Sequence, residues 1–428
     1  MKPVPWPLAG WAVAWWLALL PCVVQAGMPM PVPAAPSERN GPLLPSAVVT
    51  AAVRIHPAVL AAQVELAHAQ GEATQLRLFL HNPQVAASTS VDGRRTSGSA
   101  SQPLSLTGEG IAARKAAVAR VDAARFQLQR ARLEAAAACR RAYADAVVRS
   151  RQVDIAVEGR GLATQLRDAV ARQLEVGEAS TLDLRLAELA LVQASARLLE
   201  ARRMEADALR QLAGLSGLMV DGSELVTDPR EVVSVGAPDG SMQGQRSDLL
   251  AQQSTVRQAT ALRTRQRAST LAPVGVGVAM NVEDGERFVG PTLQATLPLF
   301  DRNQAGRQSA EAGLEQAHST EASLRALVLT EQITARTRVA EALDLEASGL
   351  KHPLEEARAA LSSIDTGYRA GEIDLPSAIL LQKEVLAGES AALDLLGGIA
   401  QARVDLLLAH DDARLLGEAT ASGPGGAP

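Results

Sequence analysis

A mainly α fold with a small β part, laid down twice along the chain, is what the sequence predicts. Three observations carry that expectation. The phrase LEVGEASTLDL, from Leu174 to Leu184, returns in altered form as YRAGEIDLPSA from Tyr368 to Ala378. Long Ala/Leu-rich tracts flank both phrases, and each half holds one pair of segments that alternate in strand fashion. The breaks in the two halves fall at a nearly constant offset, which marks a tandem duplication of helix, strand pair and long helical hairpin.

Lys2, the apolar run LAGWAVAWWLALL and the small-residue stretch VQAG read as a signal peptide over 1–26, cleaved after Ala26. The run is short for a membrane anchor, which is the alternative. Cys22 suggests a lipid attachment site, but Pro21 before it is wrong for that processing. Once the signal is removed, Cys139 is the one cysteine left, so no internal disulfide forms. Its Ala-rich setting reads as a small buried hydrophobe. Residues 27–45, with six prolines from Pro29 to Pro45, form an extended leader.

The first repeat spans 46–213. Ser46 to about Leu80 reads as one helix. The strand pair follows over 83–107, with Val85, Ala87, Thr89 and Val91 alternating against Gln84, Ala86, Ser88 and Ser90, then SQPLSLTGE. A hairpin over 111–213 is loosened at EGRG (Glu158 to Gly161) and turns at Gly177. A Gly/Pro-containing connector covers 214–245. The second repeat, 246–416, has its helix at RSDLLAQQSTVRQAT and its strand pair over 273–299. Its hairpin, 303–416, breaks at His352-Pro353 and turns at Gly371. Residues 417–428 form a flexible tail.

In the hairpin arm after each turn, apolar positions step by three and four. Leu184, Ala187, Leu191, Ala194, Leu198, Ala201, Glu205, Ala208 and Leu212 form one seam, apolar except at Glu205. Ala378, Leu381, Val385, Gly388, Ala392, Leu395, Ile399, Ala402 and Leu406 form the other. Tracts of this length imply rods on the order of 100 Å at ~1.5 Å per residue. No compact domain holds such rods, so further rods must cover their stripes. Four short strands leave two open edges, and several copies closing a membrane barrel would pair them. A small sheet capping a helical protein is the alternative. Phe288 and Phe300 are the only aromatic girdle candidates beside the second pair.

Little points to catalysis. The net charge of −5 gives no reason to expect nucleic acid, and 2% aromatics excludes base-stacking platforms. VGVG lies inside a strand and lacks a third glycine, so it is no phosphate loop. No catalytic motif of the G-x-S-x-G, H-E-x-x-H or C-x-x-C type occurs. The histidines (His56, His68, His81, His318, His352, His410) lack metal-site spacing and read as surface or capping residues. No cofactor and no metal site is expected.

HNPQVAASTSVDG with SQPLSL, the phrase LPLFDRNQAGR and the doubled Gly-Glu turn together resemble the outer membrane factor family typified by TolC. Within it they look like the cation-efflux branch typified by CzcC. The resemblance covers about Ser46 to Leu416. It implies a homotrimer in the outer membrane of a Gram-negative bacterium, with a 12-stranded β-barrel in the lipid continued by a periplasmic α-helical barrel. Such a trimer is a passive exit duct for heavy-metal cations. Its implied partners are outer-membrane lipid, a periplasmic adaptor (membrane fusion) protein and an inner-membrane pump of the RND type. On that basis Gly177, Glu178, Ser180, Thr181, Leu182, Gly371, Glu372 and Pro376 are the adaptor-contact candidates. Asp183, Asp365 and Asp374 are candidates for lining or gating a cation-tolerant lumen. Plain αα-turns with capping residues are the blander reading of the same positions. Alternative functions are a periplasmic adaptor or coiled-coil scaffold, a channel for drugs or organic solutes, and a secreted enzyme with helical bulk.

Overall fold

The computed structural model describes residues 44–75, 83–90, 95–104, 108–226, 228–232, 245–269, 274–283, 286–295, 302–347 and 353–416. The signal peptide, Cys22, the leader up to residue 43, Val91, His81, His352, Phe300 and the tail lie outside these residues. So does most of LPLFDRNQ.

The first half gives helices α1 (Pro45–Ile55) and α2 (Pro57–Gln75), strands β1 (Gln84–Thr89) and β2 (Arg95–Leu104), then α3 (Glu109–Glu175) and α4 (Thr181–Ser216). The second gives α5 (Ser247–Ala268), β3 (Val274–Glu283), β4 (Glu286–Ala295), α6 (Gln304–Ala347), α7 (Pro353–Arg369) and α8 (Leu375–Ala409). Short 3-10 turns stand at Gly222–Glu224, Pro229–Val232 and Ala413–Leu416. Among the described residues no single helix is long and apolar enough to cross a bilayer.

Three expectations need correction. The single helix expected from Ser46 is two, bent by 52°. Pro57 has no N–H to donate and drives His56 to an extended conformation, φ −61 and ψ 126. EGRG does not loosen α3, which runs unbroken for 67 residues. Gly159 there serves contact between helices: a Cβ would stand 2.9 Å from Leu386 Cδ1 of α8. The helix tolerates glycine because its neighbour fills the space. The seam expected on α8 is also incomplete, because Leu381 and Gly388 face solvent. The partner of α8 changes along its length, from α7 near the turn through α3 to α6 at its far end. Its buried stripe shifts accordingly, through Leu393 and Leu396 to Leu406 and Ala409.

The largest core cluster sits midway along α3. Leu133, Cys139, Tyr143 and Val147 of α3 meet Val48 and Val49 of α1, Leu212 of α4, and Val404 and Leu407 of α8. Burial pushes the Cys139 thiol up to about 11, so it packs as a neutral, unreactive group. The connector belongs to this core. Leu225, Val226 and Val232 are buried in it, and Val226 N–H donates to the Tyr143 hydroxyl at 3.1 Å. Arg140 is 7% exposed and donates to three main-chain carbonyls: Val232 and Leu415 at 2.8 Å, Arg414 at 3.1 Å. Burial lowers its pKa from the usual arginine value, and the carbonyl dipoles stand in for a carboxylate. One side chain thus binds α3 to the connector and to the C-terminal turn.

His410, the C-cap of α8, is buried. Its Nε2 lies 3.0 Å from Arg336 Nη2 and its Nδ1 3.0 Å from the Leu406 carbonyl. Arg336 can only donate, so Nε2 accepts and Nδ1 carries the proton.

Replacing Arg140 by methionine strands those carbonyls in an apolar site, at about 1–3 kcal/mol for each left unsatisfied. Thermal unfolding of R140M in detergent is expected to show a melting point several degrees lower. An unchanged midpoint would mean that water serves the carbonyls as well as the guanidinium does.

Candidate functional site

Both hairpins end in the same backbone motif. At the α3–α4 turn Gly177 takes φ +81, its N–H donates to the Leu174 carbonyl at 3.1 Å, and Glu178 N–H donates to Gln173 at 2.8 Å. At the α7–α8 turn Gly371 takes φ +75, with Gly371 N–H on Tyr368 at 3.0 Å and Glu372 N–H on Gly367 at 2.9 Å. These crossed bonds satisfy the last carbonyls of the helix and demand a left-handed residue, which glycine provides.

The next helix is then started differently in each case. Ser180 caps α4: its Oγ accepts from Asp183 N–H at 3.2 Å, while Asp183 Oδ2 accepts from Ser180 N–H at 2.9 Å. The Ser180 hydrogen bonds hold the Asp183 carboxyl below the ordinary aspartate range. Asp374 occupies the N-cap position of α8 without a side-chain capping bond, and Pro376 stands in the first turn. Asp365 pairs with Arg369 at 2.9 Å along α7. Of the three acids proposed for a lumen, Asp183 and Asp365 are therefore engaged within their own hairpins. The eight contact candidates, from Gly177 to Pro376, are all exposed, Leu182 to 64%.

The two tips are also joined. Tyr368 OH donates to Gln173 Oε1 at 3.1 Å, and behind this bond Leu166, Val170, Ala187 and Leu375 form a small apolar cluster. Sequence reading missed Tyr368 and Gln173. The available signal was rarity: the chain has two tyrosines, one in the central core and one at this turn.

The other distinctive region is the sheet, antiparallel in the order β1-β2-β3-β4. The β2–β3 pairing joins the two repeats, with Ala100 opposite Val278 and Ser99 opposite Ala279. Directly opposed residues share a face, so the registers define both sides. One side carries Val85, Ala100, Val276, Val278, Met280, Val289 and Leu293. The other carries Ser88, Ser97, Ser99, Gly277, Asn281 and Thr292, with Ser88 and Ser97 hydroxyls 2.6 Å apart. Val85, Val278, Val289 and Leu293 are each more than half exposed, so the apolar side is uncovered. Phe288, expected as a girdle residue, lies opposite Asn281 on the polar side, because strand parity places it there.

No charged residue occurs from Thr96 to Leu104, Val274 to Val282 or Phe288 to Ala295. Nine residues in β2 and β3 and eight in β4, at ~3.3 Å each, give about 26–30 Å along a strand. Tilted by about 40°, that matches the ~25 Å apolar band of an outer-membrane barrel.

No protein-family model matches the sequence, and no curated protein matches it. In structure the chain is similar to a membrane protein from Pseudomonas aeruginosa, at 18% identity and TM-score 0.71 over 88% of this chain and 99% of that one. It is similar to CusC, described as undergoing transmembrane channel formation, at 16% identity and TM-score 0.71 over 89% and 97%. It is also similar to the Neisseria gonorrhoeae MtrE outer membrane channel in its open state, at 18% identity and TM-score 0.66 over 86% and 88%. The fold is that of an outer-membrane channel protomer. β1 and β4 are the open edges of the four-stranded sheet.

Gly177→Ala and Gly371→Ala each force a Cβ into the left-handed region, at about 1–2 kcal/mol. Each is expected to raise proteolytic nicking at its tip without altering the far end of the hairpin. The Asp183 pKa is depressed on folding, so its contribution to the α4 cap is present above the unfolded value of ~4 and lost as pH falls through the folded value. Asp183→Asn should abolish that acid-dependent loosening, read by amide exchange at Thr181 to Leu184. Identical acid profiles for the two proteins would refute the assignment.

Proposed function

We propose that this chain is the outer-membrane exit duct of a tripartite efflux system. Three copies close a barrel of twelve strands and continue it as a helical tube, which receives cargo from an RND-type inner-membrane pump through a periplasmic adaptor. The observation that supports this reading most is the fold shared with the channel proteins CusC, over 89% of the chain, and MtrE, over 86%. The two-faced, charge-free band of the sheet supports it independently, because an uncovered apolar side suits lipid and a side of serine, glycine and asparagine suits a wet lumen.

Conduction in this reading is passive. The polar face offers neutral hydroxyl and amide groups, which solvate an ion without holding it. Heavy-metal cations are the proposed cargo on the strength of HNPQVAASTSVDG, SQPLSL and LPLFDRNQAGR. The exposed tips, among them Glu178, Leu182 and Glu372, are the proposed adaptor surface. The Tyr368–Gln173 bond holds the two tips of one protomer together and so sets how far they can splay.

Deleting the gene should sensitise cells to heavy-metal salts; sensitivity to antimicrobials alone would discard the cation cargo. Purified protein should run as a trimer in mild detergent and conduct ions across a planar lipid film. A stable water-soluble monomer without conductance would overturn the channel reading. Tyr368→Phe removes the inter-tip bond alone and is expected to raise single-channel conductance or its open fraction.

A further inference from the structure

Three helix ends meet at the level where strands give way to helices. Asn303, in a left-handed conformation at φ 54, donates from Nδ2 to Gln266 Oε1 at 2.7 Å and Ser269 Oγ at 2.8 Å. That ties the start of α6 to the end of α5. Arg265 of α5 reaches Glu109 at the start of α3 at 3.3 Å, which ties in the third.

These ends are basic. Arg263 and Arg267 of α5 share Glu311 of α6, at 2.5 and 3.3 Å, and Arg265 takes Glu109. Arg114, Lys115, Arg302 and Arg307 stand exposed at the same level and form no ion pair among the described residues. The described turns thus hold seven basic side chains against Glu109 and Glu311, in a chain whose net charge is −5. The opposite end of the sheet is balanced: Arg95 and Arg287 stand with Glu283 and Glu286, and Arg95 is paired to Glu283. Among the described residues the excess of positive charge therefore lies on the helical side of the band. Among the described strand residues the one aromatic side chain, Phe288, belongs to the polar face.

We propose that this belt docks the protein onto the phosphates of anionic glycerophospholipids in the periplasmic leaflet of the outer membrane. The inference rests on the outer-membrane reading above and adds a ligand class to it. Arginine suits the role: its planar guanidinium meets phosphate oxygens through two parallel hydrogen bonds, and its aliphatic stem lies along apolar surface. Charge complementarity fixes depth and orientation together, because only one end of the band is basic.

The test uses the full chain purified from membranes and reconstituted in vesicles of phosphatidylcholine with or without phosphatidylglycerol. Relative lipid association is read without any protein fluorophore, from the motionally restricted fraction of trace spin-labelled phosphatidylglycerol or phosphatidylcholine. The comparison variant carries serine at positions 114, 115, 302 and 307, all exposed and without an ion pair among the described residues, with trimer content and melting point as controls on folding. The wild type is expected to prefer phosphatidylglycerol, by up to about fivefold for each basic contact, and to lose that preference in high salt. The variant is expected to insert equally well with little preference. Equal association of the wild type with both lipids, or an undiminished preference in the variant, overturns the proposal while leaving the channel reading intact. Failure of the wild type to enter either vesicle overturns both.

Discussion

The constraint on which the structure depends is the length of α3. An unbroken helix of 67 residues is on the order of 100 Å long, and no single neighbour can cover it. It is covered in relays. α2 and α5 take the end near the sheet, α1 and the connector take the middle, and α4 and α8 take the part toward the turns. Alanine dominates its buried positions because every neighbour must approach closely. The Arg140 contacts matter for the same reason. They bind two segments, the connector and the C-terminal turn, to the middle of α3.

From that spine the two ends acquire opposite characters. Toward the strands, polar side chains lock the helices in register, as the Asn303 and Glu311 contacts show. Toward the turns, little more than one hydrogen bond and a small apolar cluster joins the hairpins. A rigid mouth and a loosely tied tip fit a duct that must stay sealed in lipid yet part at its far end. The α4 surface reinforces this, since Leu182, Leu189, Val192 and Leu199 are each more than half exposed on the face turned away from α3. A stripe of that kind needs another rod.

Much of this was legible in the sequence because it is periodic. Strand alternation gave the two-faced sheet, and the paired Gly-Glu phrases located turns whose glycines prove left-handed. What stayed hidden depends on contacts between distant positions. Nothing local distinguishes Arg140 from the arginine beside it, and only the fold shows that it meets carbonyls 92 and 275 positions away. Local rules also misled where tertiary contact overrode them. Gly159 reads as a helix breaker until Leu386 is seen to need its space. Phe288 reads as a membrane anchor until the β3–β4 register sets it beside Asn281. Pro57 was the reverse case, a strong local signal whose effect an otherwise helical pattern concealed.

The repeated order of helix, strand pair and helical hairpin lets the two halves differ without losing the architecture. The left-handed glycine and its two crossed hydrogen bonds recur at both turns, because backbone geometry admits no cheap substitute. The helix start that follows does not recur: one half uses the Ser180–Asp183 box, the other an uncapped Asp374 backed by Pro376. Either device sets the same first turn, so side chains at this position were free to diverge. A ring of three such protomers would then present two kinds of tip in alternation. In the proposed trimer an adaptor would meet a six-point rim repeating only every second point, so the two kinds of tip would offer it two distinct contacts.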